Sequence, residues 1–442
     1  MSRRTTAWAV AVFLGVTLLI HVAYLARCGD GLSLTGDPYS EANALRAGER
    51  FAVEGFTVNR GLPDVTYGRR YPGVGISGSS GTAENDTVYH GYPPGSDWLA
   101  GVSIRLFGVA HVGRFRLVPV ALGMIAAAVF LGALMRTIGG GRGLFVYLCC
   151  LLAPAFTNMT HGLYYHGYAL SLLLLEASVL MAAFRRPGRL GAGPPAWLGL
   201  LGFLQGWLSF DYCFVVTFAA APLALLATPA GEPLAWRKVL RLVVAAGLGF
   251  TLAHGLHFLQ SVLYFGSVHG AVEEYAFRSA KVYGGAVLEG MSRPEKYLHG
   301  LRMYLTAYLR WTSLFSPASF VLGGATVAVF ALTRGSVTVG RRFRLDAVLS
   351  PRPRDAGALG LALAIGLCWL AAKPYHALNH LIFSGRHLFL FYFASSVVVA
   401  RAVRLEVERC PDEEFRALST ESAGVGDAPL ATAAHDLKAI PT

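Results

Sequence analysis

Few charged side chains interrupt the apolar runs of this sequence, and two carboxylates near the first run are candidates for proton transfer. Asp37 follows that run after a short polar stretch, and Glu41 lies about one helical turn further on. A carboxylate that is partly desolvated at a membrane interface is suited to general-base work. A helix that starts near Glu41 would equally use Asp37 or Ser40 as its cap.

A second group of candidates lies near the carboxyl-terminal apolar run. Arg386 and His387 sit just inside that run, where an unpaired cation is costly and predicts an anionic partner. A lipid phosphate would satisfy this requirement, and so would Asp37 or Asp211. Lys373 precedes the run, and its side chain would extend to the membrane interface.

The remaining candidates are polar residues in the connections between apolar runs. Asp211 lies between two such runs, where an ionisable residue is either functional or solvated at a turn. His161 and His166 do not have the i, i+4 spacing of a helical metal pair, so they predict no metal site. His90 and Tyr92 lead into Pro93-Pro94, a rigid turn before a helix, where aromatic anchors are also expected.

Composition places all these residues in a membrane protein. The 442 residues are 54% hydrophobic and 14% charged, whereas an average soluble domain has about 25% charged residues. Lys and Arg exceed Asp and Glu by 38 to 26, an excess that nucleic-acid binding or membrane topology could explain. The six cysteines show no CxxC spacing and predict neither a disulfide framework nor a zinc site.

Runs of spanning length predict an all-α polytopic fold of about ten transmembrane helices. These runs cover 7–26, 114–136, 143–160, 166–185, 195–211, 212–229, 239–263, 311–333, 356–373 and 382–403. If they alternate across the bilayer, the short arginine-rich connections all fall on one side, which the positive-inside rule assigns to the cytoplasm, whereas long segments are weak reporters. Both chain ends are therefore predicted to be cytoplasmic, and the basic excess is mainly a topology signal.

The predicted membrane domain covers 1–409 and includes two long outer segments, 27–113 and 264–310. The first contains helical patterns at Ser40–Val53 and Pro94–Phe107, both too short to span. We expect these helices to lie on the membrane surface with apolar residues such as Phe51 and Ile104 toward lipid. A similar pattern covers Glu273–Tyr283. The segment 410–442 lacks periodicity and is predicted to be a disordered cytoplasmic tail.

The order of these features resembles the GT-C superfamily of membrane glycosyltransferases. The resemblance rests on an outer Asp37 after the first helix, a long outer loop, Tyr92-Pro93-Pro94 before an amphipathic stretch, Phe107-Gly108, and Arg114 and Arg116 opening the next span. It is best over residues 30–190. The most similar branch contains protein mannosyltransferases, lipid A aminoarabinose transferases and transferases that add galacturonic acid to the lipopolysaccharide core.

This resemblance implies transfer of a sugar from a polyprenyl-phosphate carrier to a lipid, glycan or protein acceptor at the outer face. It places Asp37 at the catalytic centre and Arg386 with His387 at the donor phosphate. The chain departs from the family pattern in two ways, because Pro38 follows Asp37 where a second acid is usual, and His166 stands where an Asp is usual. Glu41 becomes the candidate second acid, and a requirement for a divalent metal stays open.

Two functional classes follow from the sequence. The first is a transferase in a bacterial cytoplasmic membrane with its active site facing outside, in which His90, Tyr92, His161, His166 and Asp211 line the acceptor or donor groove. The second is a non-catalytic lipid-binding or transport protein on the same scaffold. A transporter would be expected to show inverted repeats, and the single long insert after the first span is asymmetric. Nucleic acid is not an expected partner.

Overall fold

The computed structural model describes residues 3–32, 38–68, 70–71, 87–151, 160–185, 190–283, 290–292, 294–295, 298–299, 301–302, 337–339, 343–349, 352–372 and 385–409. Two compact units divide the chain, one formed by Met1–Ala325 with Pro351–Arg401 and the other by Thr326–Ser350 with Ala402–Thr442. The predicted span 311–333 and the predicted tail 410–442 lie outside the described residues.

The first unit is helical. Its helices are α1 (Arg3–Cys28), α2 (Pro38–Glu54), α3 (Gly95–Phe107), α4 (Val112–Phe115), α5 (Leu117–Ile138), α6 (Gly140–Leu151), α7 (Tyr165–Arg185), α8 (Gly193–Leu208), α9 (Cys213–Phe218), α10 (Ala220–Ala227), α11 (Trp236–Phe265), α12 (Val268–Tyr283), α13 (Pro353–Ala372) and α14 (Phe389–Ala402). A short 3-10 turn, Gly385–Leu388, precedes α14.

Four helical stretches in the described part of the chain are long and apolar enough to cross a membrane: Val10–Cys28, Val112–Ile138, Tyr165–Arg185 and Trp236–Phe265. The predicted helical, polytopic membrane fold is confirmed. The count of ten spans and their orientation stay predictions. One predicted span, 212–229, is divided into α9 and α10.

Glycines bring α8 and α11 into close contact. A Cβ atom at Gly249 of α11 would collide with the backbone of Gly199, and one at Gly202 of α8 would collide with the backbone of Ala246. Small residues at such positions let membrane helices approach without side chains between them. Gly206 packs in the same way on Phe250 and Ala253, so the end of α8, which leads into Asp211, lies beside the second half of α11.

The predicted helices of the outer segments are present, because α2, α3 and α12 cover the three helical patterns. Their predicted orientation is wrong in part. Phe51 and Ile104 are buried, at 1% and 7% exposure, rather than directed at lipid. The reason is that α2 and α3 pack against each other, and the Cβ atom of Phe51 lies beside Gly101.

Polar contacts hold the outer segment between α2 and α3. Asp64 is buried, pairs with Arg50 of α2 and accepts hydrogen bonds from the hydroxyls of Thr66 and Thr87 at 2.8 and 3.0 Å. The indole Nε1 of Trp98 donates to the backbone oxygen of Gly61 at 3.0 Å. The Arg50 and Trp98 contacts therefore tie the first described part of the loop to α2 and α3. The Thr87 contact ties the second described part to the first.

The second unit contains a small antiparallel sheet that the sequence analysis did not predict. Its strands are β1 (Val337–Val339), β2 (Phe343–Leu349) and β3 (Val403–Arg409), in the order β1-β2-β3. Leu345 is opposite Val337 on one side and Val407 on the other.

Candidate functional site

A buried ion pair joins four parts of one end of the first unit. Glu41 and Arg116 are both fully buried, with Nη1 to Oε1 at 2.7 Å and Nη2 to Oε2 at 2.9 Å. The backbone N–H of Leu163 also donates to Glu41, at 2.9 Å. Arg116 donates further to the backbone oxygens of His161, at 3.2 Å, and Gly31, at 2.7 Å. The pair therefore links α2, the start of α5, the turn before α7 and the end of α1.

The geometry of Glu41 favours a positioning role. Both of its oxygens accept charge-assisted hydrogen bonds, which are the stronger kind. A carboxylate engaged in this way is poorly placed to receive a proton from an incoming hydroxyl, because its lone pairs already face donors.

Tyr92, Tyr165, Phe210 and Asp211 form one aromatic cluster with a carboxylate at its edge. The Tyr92 ring stacks on Tyr165 at 5.3 Å and on Phe210 at 5.0 Å, measured between centroids. The Tyr165 hydroxyl donates to Oδ2 of Asp211 at 3.0 Å. Asp211 is 1% exposed, so its carboxylate is held inside the protein rather than solvated at a turn. The structure thus brings together two predicted groove residues, Tyr92 and Asp211, that are far apart in the sequence.

His166 and His387 lie next to this cluster through Tyr212. The Nδ1 atom of His166 and the Tyr212 hydroxyl are 3.2 Å apart, within hydrogen-bond distance. The Tyr212 ring lies 5.9 Å from His387, which in turn stacks on Trp369 at 4.8 Å. His387 was predicted to bind the donor phosphate, and the structure places it beside the predicted groove residues.

His90 and His161 occupy the two flanks of this region. His90 packs on Tyr264 and Phe265 at the end of α11, with centroid distances of 4.9 and 4.7 Å. Its backbone oxygen accepts a hydrogen bond from Nε2 of His257 at 3.2 Å. His161 stacks on Tyr24 of α1 at 4.5 Å. Both histidines are fully buried, so each is part of the packing that surrounds the cluster.

Three predicted site residues cannot be placed with these. Asp37 and Lys373 lie outside the described residues. Arg386 belongs to the 3-10 turn before α14, but its side chain is also outside the described part. Within that part, no group of three or more His, Cys, Asp or Glu side chains is arranged to hold a metal ion.

Asp97 is a buried acid that the sequence analysis missed. It lies in the first turn of α3 and is 9% exposed. That turn packs on the end of α8, since a Cβ atom at Gly95 would collide with the backbone of Trp207. Burial raises the pKa of Asp97 to about 7, against a partial opposing effect of hydrogen bonds from its own backbone and Ser96. The available signal was that Asp97 is the only acidic residue of α3, a mostly apolar helix.

Asp97 makes stability depend on pH. The folded pKa, about 7, lies above the value of 3.8 for an unperturbed group, so the unfolded chain loses this proton first as pH rises. Stability is therefore lost between about pH 4 and pH 7, by at most about 4 kcal/mol. We expect the unfolding midpoint of Asp97→Asn to equal that of the wild type at pH 4 and to be higher at pH 8. The measurement is thermal unfolding in detergent.

The matched control is Glu232→Gln, which removes an exposed acid. It should leave the pH dependence of the unfolding midpoint unchanged. Parallel pH curves for wild type and Asp97→Asn would contradict the assignment of this pH dependence to Asp97.

Solved structures similar to this chain include two proteins with lipid-phosphate ligands. ArnT from Cupriavidus metallidurans bound to undecaprenyl phosphate is 16% identical, with a TM-score of 0.48, over 90% of this chain and 60% of that protein. The oligosaccharyltransferase AglB from Archaeoglobus fulgidus, in complex with an inhibitory peptide and a dolichol-phosphate, is 15% identical, with a TM-score of 0.41, over 98% of this chain and 53% of that protein.

These similar structures belong to GT-C membrane glycosyltransferases, the superfamily that the sequence resembles. The chain spans only 60% and 53% of their lengths. The similarity is distant and concerns the fold, so no activity follows from it for this chain. No family model and no curated protein matches the sequence.

Proposed function

We propose that this chain is a membrane glycosyltransferase that moves a sugar from a polyprenyl-phosphate donor to a lipid, glycan or protein acceptor. The site faces the outside of a bacterial cytoplasmic membrane. Asp37 acts as the catalytic base, and Arg386, His387 and Lys373 bind the donor phosphate. His90, Tyr92, His161, His166 and Asp211 surround the groove for donor and acceptor.

The observation that carries this proposal is the aromatic cluster with Asp211 at its edge. The half-buried rings of Tyr165 and Phe210, on which Tyr92 stacks, supply an apolar wall that suits the C–H face of a pyranose or furanose ring. The buried Asp211 carboxylate accepts the Tyr165 hydroxyl and thereby fixes that ring in the wall. Binding sites of this type combine aromatic walls with a few fixed polar groups that orient the ligand.

The reaction is an inverting substitution at the anomeric carbon. Asp37 takes the proton of the acceptor hydroxyl as the acceptor oxygen attacks that carbon. The bond between the anomeric carbon and the phosphate oxygen breaks, and the lipid phosphate leaves with the electron pair. Arg386 and His387 stabilise the charge that develops on the leaving oxygen. No oxidant or reductant is needed.

Glu41 and Arg116 support this site without touching the reacting atoms. Asp37 directly precedes α2, and Glu41 anchors the first turn of that helix to α5 and to the turn before α7. The ion pair therefore restricts where the chain before α2 can lie, which is the condition for a base that must meet a hydroxyl within hydrogen-bond reach.

The test is turnover of a labelled donor by the purified chain in proteoliposomes. The probes are undecaprenyl phosphates carrying tritiated hexoses or pentoses, with extracted cell-envelope lipids and glycans as acceptors. We expect label to appear in the acceptor fraction together with free undecaprenyl phosphate. Proteoliposomes without protein set the background, and the Glu232→Gln variant should retain full turnover.

The alternative function gives a different result in the same assay. A lipid-binding or transport protein would retain or move the labelled donor across the bilayer without breaking its sugar–phosphate bond. Binding or movement of every donor tested, with no transfer of label, would overturn the proposed transferase.

A further inference from the structure

A buried arginine lies at the end of the first unit opposite the candidate site. Arg401, near the end of α14, is 8% exposed, and its Nη1 atom has no hydrogen-bond partner in the described part of the chain. Among the described residues, the charged groups that act on it are Arg352, Asp355 and Arg142. Two of these three are cations, so the local charge repels the guanidinium that is buried there.

Asp355 offsets only one of the three positive charges of this group. Its Oδ2 atom accepts the backbone N–H of Arg352 at 2.9 Å, while Oδ1 makes no hydrogen bond within the described residues. Three guanidinium groups therefore share one carboxylate, and that carboxylate serves the first turn of α13. We call Arg142, Arg352 and Arg401 the arginine cluster.

The positive-inside rule explains why arginines occur at this end of the helices, but not why one of them is buried. A buried cation without a partner is costly, and such groups are normally paired. The cluster also lies at two helix starts, because Arg142 is in the first turn of α6 and Arg352 directly precedes α13.

We propose that the arginine cluster binds a phosphate group at the end of the bundle that the charge pattern assigns to the cytoplasm. Guanidinium groups match phosphate oxygens in bidentate geometry, and a phosphate would supply the missing acceptor for Nη1 of Arg401. The phosphate comes either from the headgroup of an anionic phospholipid or from a free phosphate in solution. This inference is independent of the proposed transfer reaction, which takes place at the opposite end.

The test measures thermal unfolding of the full chain in nanodiscs. One arm adds inorganic phosphate to phosphatidylcholine nanodiscs, against sodium chloride at equal ionic strength. The other arm compares phosphatidylglycerol with phosphatidylcholine nanodiscs. We expect the unfolding midpoint to rise by about 3 °C or more when the phosphate group is supplied. A rise with inorganic phosphate identifies a site for free phosphate, and a rise with phosphatidylglycerol alone identifies a lipid site.

Variants separate a built site from general charge effects. Arg142→Gln changes an exposed position and should abolish most of the shift, whereas Arg136→Gln, an exposed arginine at the end of α5, should retain it. The unfolding midpoint of Arg401→Gln should not respond to phosphate. In the absence of phosphate, this variant should be at least as stable as the wild type. If that variant does not fold, Arg142→Gln still decides the question. No shift in either arm, or an equal shift in wild type and Arg142→Gln, overturns the proposal.

Discussion

Replacing Glu41 with glutamine lowers the free energy of unfolding by about 3–5 kcal/mol, the usual cost of removing one partner of a buried ion pair. Arg116 is fully buried and would keep its charge, because a guanidinium stays protonated in proteins. In the variant, the Arg116 guanidinium keeps the backbone oxygens of His161 and Gly31 as acceptors, but a neutral amide replaces the carboxylate. The measurement is unfolding by SDS titration in mixed micelles.

An exposed ion pair on the same helix supplies the control. Arg50 and Glu54 are i, i+4 partners at 3.1 Å with side chains 22% and 37% exposed. Glu54→Gln should cost about 0.5 kcal/mol or less, because surface pairs contribute little. A loss for Glu41→Gln no larger than that for Glu54→Gln would contradict the structural role of the buried pair.

A double variant tests whether the cost comes from the unpaired charge. Glu41→Gln combined with Arg116→Gln removes both charges, so its loss should be smaller than the sum of the two single losses. Recovery should be incomplete, since Arg116 also donates to two backbone oxygens that the shorter glutamine cannot both reach. Additive losses would mean that the two side chains do not act as a pair.

Local patterns in the sequence predicted the helices of the outer segments but not what they contact. Apolar spacing places Phe51 and Ile104 on one face of each helix, and this spacing is the same whether that face meets lipid or another helix. The contact between α2 and α3 depends on the loop that separates them in the sequence, with its turn at Gly61 and its anchor at Asp64. Periodicity carries no information about such a contact.

The Glu41–Arg116 pair could not be predicted for a related reason. The two residues are 75 positions apart, and nothing in the sequence around either one identifies the other as its partner. Asp97 was different, because one acid in an apolar helix is visible in the sequence alone. The sheet was also visible: Val403–Arg409 alternates apolar and charged residues, which is typical of a strand. The topology signal uses Arg404 of this segment and makes no use of the alternation.

Asp37→Asn should reduce sugar transfer by about 10²–10⁴-fold, the contribution expected from one positioned general base. The substitution keeps the size of the side chain and its ability to cap α2, but it removes the group that accepts the proton of the acceptor. We expect kcat to fall with little change in KM for the donor, because the donor phosphate is bound by other residues. The assay is initial-rate transfer of tritiated sugar from the undecaprenyl-phosphate donor that wild type uses.

Two comparisons keep this prediction specific to Asp37. Asp30→Asn changes another acid of the same outer segment, one that accepts the backbone N–H of Gly113 at 2.8 Å, and should retain transfer. Glu41→Gln should lose both transfer and stability. Asp37→Asn should lose transfer while its unfolding midpoint stays unchanged, because a base outside the buried pair contributes to the reaction and not to the fold. Undiminished transfer by a normally folded Asp37→Asn protein would remove Asp37 from the mechanism and leave Asp211, at the edge of the aromatic cluster, as the next carboxylate to test.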